Sequence, residues 1–196
     1  MHYPPSYPPV THICPDTDKE IKLINNMRLV WSQHVYWTRM LLISIAERLK
    51  DLDAVTARLM QNPKDIGAVF AGYYAPEAVD VITRLLTEHL QIGAELITAL
   101  RDKKTAQAAE LDRQWYANAD QMAAAFSSIN PYYDQRVWQD MLYRHLDLTK
   151  QEVAARLAGN YPADIRAFDA VEAEALGMAD MFVAGIMKQF PQMFVG

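Results

Sequence analysis

LVWSQHVYWTRMLLISI, residues 29–45, decides the fold. Val30, His34, Thr38, Leu41 and Ile45 recur at spacings of three and four, which places them on one face of an α-helix. The run is too long for a strand and shows no period of two. Trp31 joins the same face, and so does Met27 just upstream. A histidine on that face, among two tryptophans and a tyrosine, needs a polar partner inside the molecule.

Working outward, Asp16, Thr17 and Asp18 offer cap chemistry for a helix that continues to about residue 50. Residues 51–61 read as a short helix ended by Asn62-Pro63. The turn GYYAP, residues 72–76, launches a second long helix with Pro76 at its first position, running to about residue 101. RDKK separates it from a third over 105–129, closed by Asn130-Pro131. A fourth spans 135–157, and a fifth opens at Pro162 and stops near Phe190. The expected fold class is all-α: an up-and-down helical bundle of four to five long helices with one short extra helix. Residues 1–15, with four prolines in the first nine, form a disordered arm, and residues 16–196 a single domain.

The composition narrows the function classes. A net charge of -5, with no basic run, opposes nonspecific nucleic-acid binding. One cysteine, Cys14, rules out an internal disulfide and any thiolate metal cluster built by one chain. No signal-like leader and no stretch of 18 apolar residues occur, so a cytoplasmic protein without membrane contact is expected. The seven glycines form no phosphate-cradling loop, and Ser44, Ser127 and Ser128 lie in no nucleophile elbow.

Each long helix carries a polar residue on its apolar face. His34 and Thr38 sit on the first, and His89 lies near the centre of the stripe Val79, Ile82, Leu86, Gly93, Leu96 and Leu100 on the second. Asn118 is central among Leu111, Trp115, Met122 and Ile129 on the third. His145, Thr149 and Glu152 follow Val137, Trp138 and Met141 on the fourth, and Glu172 falls within Ile165, Phe168, Ala175, Ala179 and Val183 on the fifth. The three histidines and Asn118 all lie near their helix midpoints, so the bundle brings them to one layer. Imidazoles with a carboxylate are an N/O ligand set suited to zinc, iron, manganese, nickel or copper. The sharper expectation is thus one divalent transition metal on His34, His89, His145 and Glu172, with Glu172 as fourth ligand or catalytic acid/base. Asn118, Thr38 and Glu152 would orient the imidazoles. The plainer expectation is a non-enzymatic bundle with hydrogen-bonded core histidines, binding a hydrophobic small molecule or a protein partner. Arg39 is expected to pair with a carboxylate of another helix. The apolar close QFPQMFVG could dock on the bundle or on a second copy, which makes a homodimer one expectation.

The segments HVYWTRM, RLMQNPKD, RQWYANAD, SSINPYY, MLYRHLDLTKQE and MADMF…GIMKQFP resemble a family of small all-helical bacterial proteins often labelled "acetylglutamate kinase". That label contradicts the sequence, because the kinase fold is α/β with glycine-rich nucleotide loops. The resemblance covers the chain from about residue 28 onward and implies an all-helical fold. It supplies no catalytic residue, since the family has no established activity. More distantly, one histidine per helix is similar to the metal-binding bundles of the haemerythrin and DinB-like kinds, although haemerythrin's paired-histidine spacings are missing.

Overall fold

The computed structural model describes residues 17–195. The proline-rich arm and Cys14 lie outside the described residues. The structure is all-α: α1 (Asp18–Glu47), α2 (Leu52–Leu59), α3 (Asn62–Phe70), α4 (Pro76–Arg101), α5 (Thr105–Ile129), α6 (Gln135–Leu157), α7 (Tyr161–Gln189) and a 3-10 turn at Pro191–Met193. Local chemistry sets most of these bounds. Thr17 accepts from the Glu20 amide while the Glu20 side chain accepts from the Thr17 amide, a reciprocal cap on α1. Asp134 caps α6 by accepting from Val137 N, and Asn160 caps α7 by accepting from Ala163 N. Pro76 and Pro162 stand in first turns, where a missing N–H costs nothing.

The short element differs from the sequence expectation. Asn62-Pro63 does not end structure but begins α3, with Pro63 in its first turn, so two short helices connect α1 to α4 instead of one. This connection also returns the chain to its starting end. Arg101 at the end of α4 donates to Ile45 O near the end of α1, and Arg48 pairs with Asp102, so α1 and α4 run parallel. The remaining neighbours alternate. Arg28 pairs with Asp180 and Arg39 with Asp164, which sets α7 antiparallel to α1, and the pairs Asp120 with Tyr143 and Tyr116 with Asp147 do the same for α5 and α6. Five long helices form the bundle, and the up-and-down pattern is broken once.

The core has two apolar clusters. The larger is centred on Phe182, whose ring lies 4.1 Å from Trp138, 4.8 Å from Phe126 and 5.0 Å from Phe70. The pairs with Phe126 and Phe70 are edge-on, an arrangement that contributes about 0.5–1.5 kcal/mol each beyond burial. The smaller gathers Leu41, Leu42, Ile45, Val55, Leu59, Leu90, Ile97 and Val153. The polar residues of interest sit where the two meet. No helix among the described residues is long and apolar enough to cross a membrane.

Candidate functional site: a layer of three buried histidines

His34, His89 and His145 are buried and come together: the His34 and His145 ring centroids are 5.9 Å apart, and those of His89 and His145 6.5 Å. Each is fixed in the same way through Nδ1. The His34 Nδ1 lies 3.1 Å from Asn62 Oδ1, His89 Nδ1 3.0 Å from Asn118 Oδ1, and His145 Nδ1 3.0 Å from Glu174 Oε2. The amide orientations settle the tautomers. Asn62 Nδ2 donates to Val30 O and Asn118 Nδ2 to Leu85 O, which leaves their carbonyl oxygens for the rings. An amide oxygen or a carboxylate can only accept, so all three rings carry their proton on Nδ1. On the neutral rings of His34 and His89, Nε2 is then a lone-pair acceptor, and among the described residues no protein group donates to Nε2 of any of the three. Burial, reinforced by the neighbouring His145, holds the pKa of both His34 and His89 down at about 3. They are neutral at physiological pH.

The rings line a cavity whose other walls are mostly apolar, including Val35, Leu41, Leu59, Leu90, Ile97 and Trp115, with Thr38, Thr149 and Glu152 at its polar side. Its empty space is ≈ 480 Å³ with the mouth included, but it is narrow: the centre of a water-sized sphere reaches only ≈ 20 Å³. A single water needs about 10–15 Å³ on that measure, so the free part admits one water-sized group.

The expected metal site is overturned. Among the described residues, no group of three or more His, Cys, Asp or Glu side chains is placed to hold a metal ion. Metal–nitrogen bonds of about 2.0–2.1 Å at tetrahedral angles would bring two imidazole centroids to about 5 Å, closer than the rings here stand. Glu172, expected as ligand or acid/base, is outside the layer and accepts from the exposed Tyr36 hydroxyl. Its place is taken by Glu174, two residues on.

The helper residues are also redistributed. Asn118 does hold a histidine, His89. Thr38 does not: its buried hydroxyl has no hydrogen-bond partner among the described residues, and His34 is held by Asn62 instead. Thr149 donates back to His145 O within its own helix. Glu152 lines the cavity but pairs with Arg39 at 2.6 Å, and Arg39 also forks onto Asp164, a fully buried carboxylate. Arg39 is therefore the interhelical ion-pair residue expected of it, joining α1, α6 and α7. Burial pushes the Glu152 carboxyl pKa up, against the opposing pull of Arg39.

No protein-family model matches the chain, and neither the curated proteins nor the solved structures searched contain a match. The functional argument thus rests on the site. Chemically, the site offers neutral acceptors facing a small void, with an apolar surround. Asn62 and Glu174 are the partners that the sequence reading missed. Asn62 is fully buried beside a proline in a segment read as a terminator, and Glu174 stands one turn after the buried Val171.

Proposed function

We propose that the protein is a helical-bundle binder of a small, largely hydrophobic molecule with one polar end. The polar end would take the free space at the histidine layer, and the apolar part would run past Leu41 and Ala94 into the adjoining groove. The observation that carries this reading is the cavity between the two apolar clusters, floored by imidazoles whose Nε2 atoms have no protein donor among the described residues. Buried acceptors are normally satisfied, and a donor brought by a ligand satisfies them at no cost in protein structure. The apolar walls then supply affinity in proportion to the ligand area removed from water.

Thermal unfolding tests this with six-carbon aliphatic compounds bearing a hydroxyl, an amine, a carboxylate or no polar group. A ligand at about 100 times its Kd adds about 2.7 kcal/mol, which for a chain of this size raises Tm by roughly 5–10 °C. The expected result is a rise with at least one polar-ended compound, abolished by Ala94→Trp, which fills the cavity wall. No rise with any of them would overturn the reading. So would one equivalent of transition metal bound by the protein purified without a His-tag and lost on replacing His89.

A further inference from the structure

We infer that the polar end recognised by the histidine layer is a primary ammonium group, so that the ligand class is a slender alkylamine. The inference rests on the small-molecule reading above and specifies it. The first support is the match in number: an alkylammonium carries three N–H donors, and three imidazoles whose Nδ1 atoms are already engaged line the cavity, one each from α1, α4 and α6. A hydroxyl supplies one donor, and a carboxylate supplies none and would face only acceptors.

The second support is spacing. A nitrogen held at about 2.9 Å from two imidazole nitrogens at a tetrahedral angle sets their ring centroids about 6.5–7 Å apart, which the 6.5 Å between His89 and His145 meets, while His34 and His145 stand closer at 5.9 Å. The third is size, because the free part of the cavity admits a group no larger than water, which suits –NH3⁺ and excludes phosphate or a guanidinium.

Charge supplies an independent reason. Glu174 Oε1 is buried and has no hydrogen-bond partner among the described residues, while Oε2 accepts from His145. Glu152 and Asp164 are matched by Arg39 and Arg156. The layer therefore holds one carboxylate without a permanent cation, and a bound ammonium on the far side of the His145 ring supplies it. The Nδ1–H of His145 links the two charges.

The ligand's tail has an exit. The cavity shares Leu41 and Ala94 with a surface groove between α1, α2 and α4 that is lined by Ile45 and Leu52 and edged by Asp53, Glu95 and Lys104. The cavity itself has room only for the ammonium, so a tail of five or six methylenes would run past these two residues into the groove.

Isothermal titration calorimetry at pH 7 with n-hexylamine, n-hexanol and hexanoate tests the assignment on the full chain. The expected result is 1:1 binding of hexylamine at least 10-fold tighter than hexanol, with no binding of hexanoate. Hexanol or hexanoate binding as tightly as the amine would overturn the ammonium assignment and leave the small-molecule reading standing. Absence of binding by all three would overturn both. His89→Asn keeps a donor toward Asn118 while removing one acceptor, and is expected to weaken hexylamine at least 10-fold; unchanged affinity would overturn the proposal. A direct readout needs no variant: the Nε2 nitrogen resonances of His34, His89 and His145 should shift on adding hexylamine, and unmoved resonances would also overturn it.

Discussion

Lowering the pH from 8 to 5 should destabilise this protein through two particular side chains. His34 and His89 are 4% and 3% exposed and are held neutral, with a folded pKa near 3. In the unfolded chain each returns to about 6.5. The folded values are depressed, so between these limits the unfolded state binds more protons, and stability falls as the pH is lowered. It is complete above about pH 6.5 and drains away toward pH 3. At pH 5 the loss works out at about 2 kcal/mol per histidine, or about 4 kcal/mol for the pair. Other groups face these rings. His145 on α6 stands against both, with Glu174 on α7 behind it, while Glu152 on α6 and Arg39 on α1 lie to one side. Glu152 works in the opposite sense, because its raised carboxyl takes up a proton more readily when folded, and it offsets part of the loss. The assay is urea unfolding at pH 8, 7, 6 and 5, extrapolated to water, on the wild type and on His34→Asn and His89→Asn. Asn retains a donor near the Nδ1 position but does not titrate, so each variant is expected to lose about half of the pH dependence. A wild-type fall of less than about 1 kcal/mol, or variants with the wild-type slope, would show that the rings are not held neutral by burial.

Two further perturbations test the packing that positions the layer. Gly185→Ala would put a methyl group inside the Tyr133 ring, which is buried and fixed by its hydroxyl on Phe182 O at 2.6 Å. Overpacking of this kind costs about 1–3 kcal/mol, read as a fall in Tm of roughly 2–12 °C, and an unchanged Tm would mean that Tyr133 is free to move. Arg39→Met strands Glu152 and leaves Asp164 to Arg156 alone. A loss of about 3–5 kcal/mol in urea unfolding is expected, restored in large part by combining it with Glu152→Gln and Asp164→Asn; no loss in the single variant would place the network in solvent.

The long helices were legible because their ends are written in local chemistry. Pro76, Asp134 and the turn residues between helices act within a few positions of where they stand, and the resulting bounds of α4, α5 and α6 coincide with those read from the sequence. The meeting of His34, His89 and His145 was legible for a related reason: mid-helix positions in a bundle fall at one height whichever way each helix runs. Asn62-Pro63 shows where local reading stops. The same dipeptide closes one helix or opens the next, and only the packing of α3 against α1 and α4 selects the second. Missing α3 meant missing Asn62, and with it the partner that fixes the tautomer of His34.

The choice between Glu172 and Glu174 turns on how α7 is enclosed, and it changes the chemistry assigned to the whole layer. A single stripe at helical spacing is the signature of a helix with one buried side, and it favours Glu172 together with Ile165. α7 packs between α1 and α6, so its buried surface spreads over Val171, Glu174, Ala175, Met178 and Phe182, while Ile165 is 54% exposed. Glu172 then faces α1, where Tyr36 meets it, and Glu174 faces α6, behind His145. A carboxylate in front of the rings would compete with a ligand for the void; one behind them orders the His145 proton and leaves Nε2 facing the cavity. On the proposed reading, the ligand's donor, not a shared ion, completes the layer.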